Sequence, residues 1–217
     1  MNYFAHGYRH LERPYFVAGT AIPDWLNVTN RRVRVRRKFA EPFLMSDQPT
    51  YQELAAGVVQ HHVDDQWFHR SRAFAELSLD FAVRLRDGLP ADDGLRPSFL
   101  GHILVEILLD DCLAAEAPAA LQGYYATLAA TDPVLISKFV ELATGQSVPR
   151  LAEFIPRFIE VRFLYDYADN AKLLFRLNQV MGRVGLAEIP GAMLGLLPQM
   201  RSAVSERIHE LLKPTRA

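Results

Sequence analysis

The sequence predicts an all-α protein, on three observations. Apolar residues recur at steps of three and four through most of the chain, which is the spacing of one helix face. Prolines separate these runs, and no two segments alternate in the way that paired strands require. The chain has 217 residues, of which half are hydrophobic. We therefore expect a single all-α domain spanning residues 1–217, with about eight helices.

The first half of the chain predicts helical segments with clear breaks between them. Pro14 ends the first segment, and the second is a short helix or turn because its apolar run contains Gly19 and Pro23. The run from Arg31 to Lys38 alternates basic and apolar residues, but without a partner strand we expect a loop. A helix then follows the turn-forming SDQPT segment, and DGLPADDGLRP is the clearest loop. The expected helical bounds are 2–12, 15–27, 52–69, 72–86 and 98–115.

The second half is punctuated by prolines, after which the helical period resumes. We expect its helices to pack around the earlier ones and to supply substrate contacts. Their expected bounds are 119–130, 132–143, 150–164, 167–183 and 191–212.

Composition excludes several classes of function. Lys and Arg total 24 and Asp and Glu total 25, so the net charge of −1 does not favour nucleic acid or a membrane surface. The single cysteine, Cys112, excludes an internal disulfide and fits a reducing compartment. The first residues lack the apolar run of a signal peptide, and no stretch is long and apolar enough to span a membrane. These features predict a cytoplasmic protein.

Two segments, HHVDDQWFH and GHILVEILLDD, place metal-ligating side chains at helical spacing. The side chains are His61, Asp65 and His69 in the first segment and His102, Glu106 and Asp110 in the second. Four residues are just over one helical turn, so each trio lies along one face. Burying ionisable groups in apolar segments is costly unless they pair or bind a cation. We therefore predict two facing helices that share a site for one or two divalent ions.

Each trio is too long to hold one ion. Its outer members are separated by about 12 Å along the axis, at about 1.5 Å per residue. A pair such as His61 and Asp65 would chelate one ion, while the third residue would bind a second ion or orient a ligand. The alternative is that the trios are solvated faces of amphipathic helices. Taken alone, His6 and Asp24 are better explained as core or capping residues.

Four segments occur in an order that resembles the acyl carrier protein phosphodiesterase family, a divergent branch of the HD-type metal-dependent phosphohydrolases. They are MNYFAH, AGTAIPDWL, GVVQHHVDDQWFHRS and LVEILLDDCLA. The first matches the family's opening segment, which ends in histidine. The second matches a Gly-x4-Asp segment at Gly19 and Asp24, and the third a Gly-x3-His-x3-Asp run at Gly57, His61 and Asp65.

The resemblance covers residues 1–115 and includes three departures. The family's Asp-x3-Asp-His pattern is matched by Glu106, Asp110 and Asp111, so Asp111 stands where histidine is expected. His69 replaces an acidic residue, and His102 is an added potential ligand. Exchanges between Asp and His can preserve a metal site while changing its preferred metal.

The resemblance implies an HD-like helical fold and hydrolysis of the phosphodiester that joins 4′-phosphopantetheine to a serine of acyl carrier protein. It implies a divalent metal, Mn²⁺ in first place, although histidine and carboxylate ligands also suit Fe²⁺, Zn²⁺ or Mg²⁺. The predicted metal ligands are Asp24, His61, Asp65, His102, Glu106 and Asp110. The predicted acid–base residues are His6, His62 and His69, because imidazole titrates near neutral pH.

The basic run follows Asp24 closely, so we expect it near the mouth of the site. It would balance phosphate charge and attract an acidic carrier protein. The alternative is a solvated loop, and the run is too short and too poor in aromatic residues to indicate nucleic-acid binding. Its basic residues are Arg31, Arg32, Arg34, Arg36, Arg37 and Lys38.

Three other functions remain open. One is HD-type hydrolysis of a nucleotide or another phosphorylated small molecule. Another is a non-catalytic, metal-stabilised binding protein. The third is a di-iron helical-bundle oxidase, whose Glu-x-x-His spacing of three does not match the spacing of four in this chain.

Overall fold

The structure, a computed structural model, describes residues 1–90 and 94–214, and these residues form helices and loops without strands. The all-α class is thus confirmed. The α-helices are α1 (Tyr3–Gly7), α2 (Pro14–Thr29), α3 (Arg37–Ala40), α4 (Pro49–Phe68), α5 (Arg72–Gly88), α6 (Pro97–Glu116), α7 (Pro118–Ala129), α8 (Pro133–Thr144), α9 (Pro149–Val161), α10 (Asn170–Val184), α11 (Leu197–Glu206) and α12 (Ile208–Leu211). Short 3-10 helices lie at Glu41–Met45, Phe163–Ala168 and Gly191–Gly195.

The expected number of about eight helices was too low. The segment 191–212, expected as one helix, is a 3-10 turn followed by α11 and α12. Gly191 and Gly195 bound the turn, and Pro198 sits in the first turn of α11, where its missing N–H costs no hydrogen bond. Such short pieces lack the repeated apolar stripe by which a helix is recognised in sequence.

Proline marks where several helices start. Pro118, Pro133 and Pro149 each occupy the first turn of their helix, where the fixed backbone angle of proline favours helix entry. Asp132 also caps α8, because its side chain accepts a hydrogen bond from the Val134 N–H at 2.8 Å. The starts expected for these three helices, at residues 119, 132 and 150, therefore lie within one residue of those observed.

The chain divides into two compact units. The first unit comprises Asn2–Gln66 and Ala117–Arg162, and the second comprises Met1, Trp67–Glu116 and Phe163–Ala217. None of the helices in the described ranges combines the length and apolar character that crossing a membrane requires.

Glycines in the first unit bring α2 and α4 unusually close. A Cβ atom added to Gly57 would lie 2.1 Å from the Phe16 carbonyl oxygen, and one added to Gly19 would lie 2.4 Å from the Leu54 carbonyl oxygen. Only glycine fits at such a backbone contact. The crossing places His61, one turn beyond Gly57, against the backbone of α2.

In the second unit, α5 and α6 pack side by side in opposite directions. Gly101 allows this approach, because an added Cβ would lie 2.7 Å from the Ser78 carbonyl oxygen. Further along, the rings of Phe74 and His102 are 4.8 Å apart between centroids. The polar stripe of α6 therefore faces the start of α5.

Candidate metal centres

Three potential ligands converge in the first unit, and we call them the first cluster: His6 on α1 and His61 and Asp65 on α4. Asp65 lies between the imidazoles, with its Oδ1 3.4 Å from His6 Nε2 and its Oδ2 3.3 Å from His61 Nε2. The two rings are 4.3 Å apart between centroids. The His6 side chain is completely buried, whereas Asp65 keeps 29 % of its side chain exposed. Solvent therefore reaches the cluster from the Asp65 side.

Hydrogen bonds outside the first cluster orient both imidazoles. His6 Nδ1–H donates to Asp64 Oδ2 at 3.1 Å, and His61 Nδ1–H donates to the Thr20 carbonyl oxygen at 2.9 Å. A neutral imidazole carries only one N–H, so each Nε2 presents a lone pair toward Asp65. Within the described ranges, the buried His6 Nε2 makes no hydrogen bond. This arrangement is typical of histidines that ligate a metal.

Electrostatics make Asp65 an anion. Burial raises the pKa of its carboxyl group, but the contacts with His6 and His61 outweigh burial and hold that pKa far below its usual range. These contacts stabilise the carboxylate only when a proton or another positive charge lies between each Nε2 and an Asp65 oxygen, and a metal ion would fill the same position. The first cluster therefore has the charge and the donor atoms that a divalent cation needs.

A cavity of about 370 Å³ opens beside the first cluster. Its lining includes carboxylates and imidazoles, which can bind a metal ion, and guanidinium groups, which can bind an anionic substrate. The lining residues are Pro23, Asp24, Asn27, Arg34, Val35, Arg36, His61, His62 and Asp65. Asp24 thus lies beside the first cluster, although its carboxylate does not belong to the converging group of three.

His62 is held as a neutral imidazole in this cavity. Its Nε2–H donates to the Val35 carbonyl oxygen at 2.8 Å, which leaves Nδ1 as an acceptor. Burial lowers the pKa of His62, and the hydrogen bond to Val35 only partly offsets that effect. His62 can therefore accept a proton within the cavity.

A second cluster lies in the second unit and consists of His69, His102 and Glu106. Glu106 Oε1 is 2.7 Å from His69 Nε2 and 3.2 Å from His102 Nε2. Burial raises the pKa of Glu106, but the Met1 amino group and the two imidazoles outweigh burial and hold it well below its usual range. His69 is not on α4, because that helix ends at Phe68.

The structure groups the sequence-predicted residues as two sets of three, one in each unit, where the sequence predicted a shared site. His6 and His69, predicted as acid–base groups, each lie among potential metal ligands. Asp110 is buried in α6 and belongs to neither cluster. Asp111, at the position where the family has histidine, pairs with Arg201, which also donates to the Tyr167 carbonyl oxygen at 2.9 Å.

Sequence reasoning missed Asp64, the partner of His6. Its other carboxylate oxygen accepts a hydrogen bond from Gln60 Nε2 at 2.7 Å, so the whole carboxylate is fixed. The Asp64–Asp65 pair in the motif was the only available signal, and spacing alone favoured Asp65.

Two of the six predicted basic residues, Arg34 and Arg36, line the cavity. They are exposed because Val33 and Val35 alternate with them and are buried. Arg34 donates to Asn27 Oδ1, whereas the Arg36 side chain makes no hydrogen bond or ion pair in the described part of the chain. The other four are exposed and do not line the cavity: Arg31, Arg32, Arg37, which pairs with Glu41 at 2.7 Å, and Lys38, which lies over the Phe39 ring.

Comparison of the chain with known protein families, curated proteins and solved structures found no significant match. The resemblance to acyl carrier protein phosphodiesterases accordingly stays an expectation from sequence.

Proposed function

We propose that this chain is a metal-dependent phosphodiester hydrolase whose reaction centre is the first cluster and its cavity. One observation carries the proposal: three inward-facing ligand atoms adjoin a cavity that two arginines also line. A divalent cation would supply polarisation of a phosphoryl oxygen and would acidify a water molecule.

The spacing of the first cluster supports metal binding. Atoms that share a tetrahedral Zn²⁺ at about 2.1 Å lie roughly 3.4 Å from one another. Asp65 Oδ1 lies 3.4 Å from His6 Nε2 and Asp65 Oδ2 lies 3.3 Å from His61 Nε2, and one donor atom from each residue lies within 4.8 Å of the other two. His6, His61 and Asp65 would therefore close on the ion by moves of about 1 Å, and two imidazoles with one carboxylate suit Mn²⁺, Fe²⁺ or Zn²⁺.

The arginines supply the binding site for the phosphate. Guanidinium groups bind phosphate oxygens through paired, charge-assisted hydrogen bonds. Among the residues that the structure describes, the Arg36 side chain has no polar partner to give up, and Arg34 would exchange its bond to Asn27 for one to the substrate. Both would balance the negative charge of a phosphodiester placed beside the first cluster.

His62 is available for proton transfer in the cavity. Its Nδ1 atom accepts a proton from the attacking water, since its Nε2–H is committed to Val35, and the imidazolium so formed returns that proton to the leaving oxygen. Asp24 lines the same cavity, where its carboxylate can accept a hydrogen bond from the attacking water.

The proposed substrate is a phosphodiester on an acidic carrier protein. The exposed basic run beside the cavity supports this choice, because a cluster of like charges attracts a partner of opposite charge and speeds association. A phosphorylated small molecule would need the cavity but not the remainder of the basic run.

The test uses untagged protein, stripped with a chelator and reloaded with Mn²⁺, Zn²⁺ or Mg²⁺. Holo acyl carrier protein is followed by intact mass, and bis(4-nitrophenyl) phosphate is followed by absorbance. We expect metal-dependent loss of phosphopantetheine and at least an approximately 100-fold lower rate in Asp65→Asn, because stabilisation of the transition state depends on the ion. His10→Gln, a histidine of the same unit outside the cluster, serves as the control.

Turnover of the small ester without turnover of the carrier protein would redirect the proposal to small phosphate esters. Absence of both activities with every metal, in protein that binds the ion, would reject hydrolysis.

A further inference from the structure

We propose that His69, His102 and Glu106 form a second, separate metal site, which binds Zn²⁺ and keeps one coordination position open. This site lies entirely within the second unit. It does not depend on the proposed hydrolysis, because its donors differ from those of the first cluster.

The donor atoms of the second cluster already surround a common point. All three lie within 4.8 Å of one another, and both Nε2 atoms approach the same Glu106 oxygen. Atoms bound to one tetrahedral Zn²⁺ lie roughly 3.4 Å apart. The observed nitrogen–oxygen distances of 2.7 and 3.2 Å would therefore lengthen by less than about 1 Å when the ion enters.

The scaffold holds both imidazoles in place. Phe74 packs edge-on against each ring, at 4.9 Å from His69 and 4.8 Å from His102 between centroids. The backbone contact at Gly101 fixes the neighbouring turn of α6 against α5. The rings are 4.8 Å apart and inclined by 33°, and both Nε2 atoms face the same Glu106 oxygen. Ligands held in this way lose little conformational entropy when they bind an ion.

Exposure indicates an open site. His69, His102 and Glu106 keep 32, 44 and 18 % of their side chains exposed, so an ion and a fourth, exchangeable ligand can enter from solvent. Three protein ligands with water in the fourth position are typical of zinc sites that are not purely structural. Two imidazoles and one carboxylate are a donor set that zinc uses in such sites.

The alternative is an ion-pair network, in which Glu106 Oε1 accepts an N–H from each ring and lies 3.5 Å from the Met1 amino group. The Zn²⁺ titration below distinguishes the two, because an ion-pair network takes up no second equivalent of the metal. A divalent ion would replace both protons and use the negative charge of Glu106. Each Nδ1–H would then face solvent, as the exposure of the rings allows.

The experiment titrates untagged, metal-stripped protein with Zn²⁺ in equilibrium dialysis and with Co²⁺ under visible spectroscopy. We compare the unmodified chain with His102→Gln, His61→Gln and the control His209→Gln, an exposed histidine of the second unit. We expect two bound equivalents in the unmodified chain and in His209→Gln. We expect one equivalent in each of the other two variants. Each should lose a different part of the Co²⁺ absorption spectrum, because each removes a different site.

A full complement of two equivalents in His102→Gln would overturn the second site. Binding of only one equivalent by the unmodified chain would also overturn the second site, if His61→Gln abolishes that binding and His102→Gln leaves it unchanged. Because the readout is binding, a protein that binds both ions but hydrolyses nothing would reject the proposed function and leave the second site standing.

Discussion

The orientation of His6 depends on Asp64, a residue 58 positions away in the sequence. Spacing along one helix identified His61 and Asp65, because their geometry is local. It could not identify the contact between α1 and α4, which exists only after folding. The same limit applies to the Thr20 carbonyl oxygen that orients His61. Every residue has a backbone carbonyl, so the sequence does not show which one accepts a hydrogen bond.

Replacing Asp64 tests whether it supports the first cluster. Asp64→Asn keeps the size of the side chain but removes its charge, so the His6 ring should be held less firmly. We expect affinity for Mn²⁺ or Zn²⁺ at the first cluster to fall by about 10- to 100-fold, as is usual when the partner of a metal-bound histidine is removed. Isothermal titration with His102→Gln as the background isolates that site, and the exposed Asp47→Asn is the control. Equal metal affinities in Asp64→Asn and Asp47→Asn would contradict the role of Asp64.

Cys112 should be nearly unreactive in the folded protein. Burial, together with the neighbouring Asp111 carboxylate, raises the pKa of the thiol to about 11. At pH 8 only about one thiol in a thousand is then the reactive thiolate. We expect a disulfide reagent to label Cys112 slowly at pH 8, faster as the pH approaches 11, and at once in denaturant. Rapid labelling of the native protein at pH 8 would contradict the burial of this thiol.

At the scale of helices, the three residues of the first trio do not share one face. Over eight helical residues the direction of a side chain turns by about 80°, so His61 and His69 point to different neighbours. The helix α4 ends at Phe68, and His69, just beyond that end, meets Glu106 of α6. Helix existence followed from periodicity and proline positions, but periodicity does not show which neighbouring helix each side chain will meet.

The contact between α2 and α4 predicts a large effect for one methyl group. In Gly57→Ala the added Cβ would meet the Phe16 carbonyl oxygen at 2.1 Å, so the helices must separate. We expect the free energy of unfolding to fall by about 3 kcal/mol, the upper part of the range for overpacked interiors. Urea unfolding at 25 °C measures this change.

Gly182→Ala is the matched control, because nothing lies near the added methyl group at that position in α10. It should stabilise the protein by up to about 1 kcal/mol through helix propensity. Equal effects of the two substitutions would show that the α2–α4 contact is not tight.

At the scale of the whole molecule, the net charge does not reveal a local concentration of positive charge. A net charge of −1 gives no reason to expect an acidic partner, yet exposed arginines adjoin the cavity of the first unit. Composition averages over the chain, whereas a partner responds to the local field. The basic run was visible in the sequence, but its division into cavity-lining and outlying residues was not.

Reversing two of these charges tests the proposed partner. Arg34→Glu/Arg36→Glu should weaken association with holo acyl carrier protein by at least about tenfold at low salt, with the difference shrinking as salt screens the charges. Arg150→Glu/Arg157→Glu, on exposed positions of the same unit, makes the same change in net charge elsewhere. Surface plasmon resonance at two salt concentrations compares them. Equal weakening by both pairs would attribute the effect to net charge and reject docking at the cavity.

The most direct test of the first cluster is an anomalous difference map at the zinc edge, from crystals of the untagged chain grown with saturating Zn²⁺. We predict a peak about 2.1 Å from His6 Nε2 and His61 Nε2, with Asp65 completing the ligand set. Ordered side chains at all three positions with no peak between them would contradict a metal centre, and with it the proposed hydrolysis.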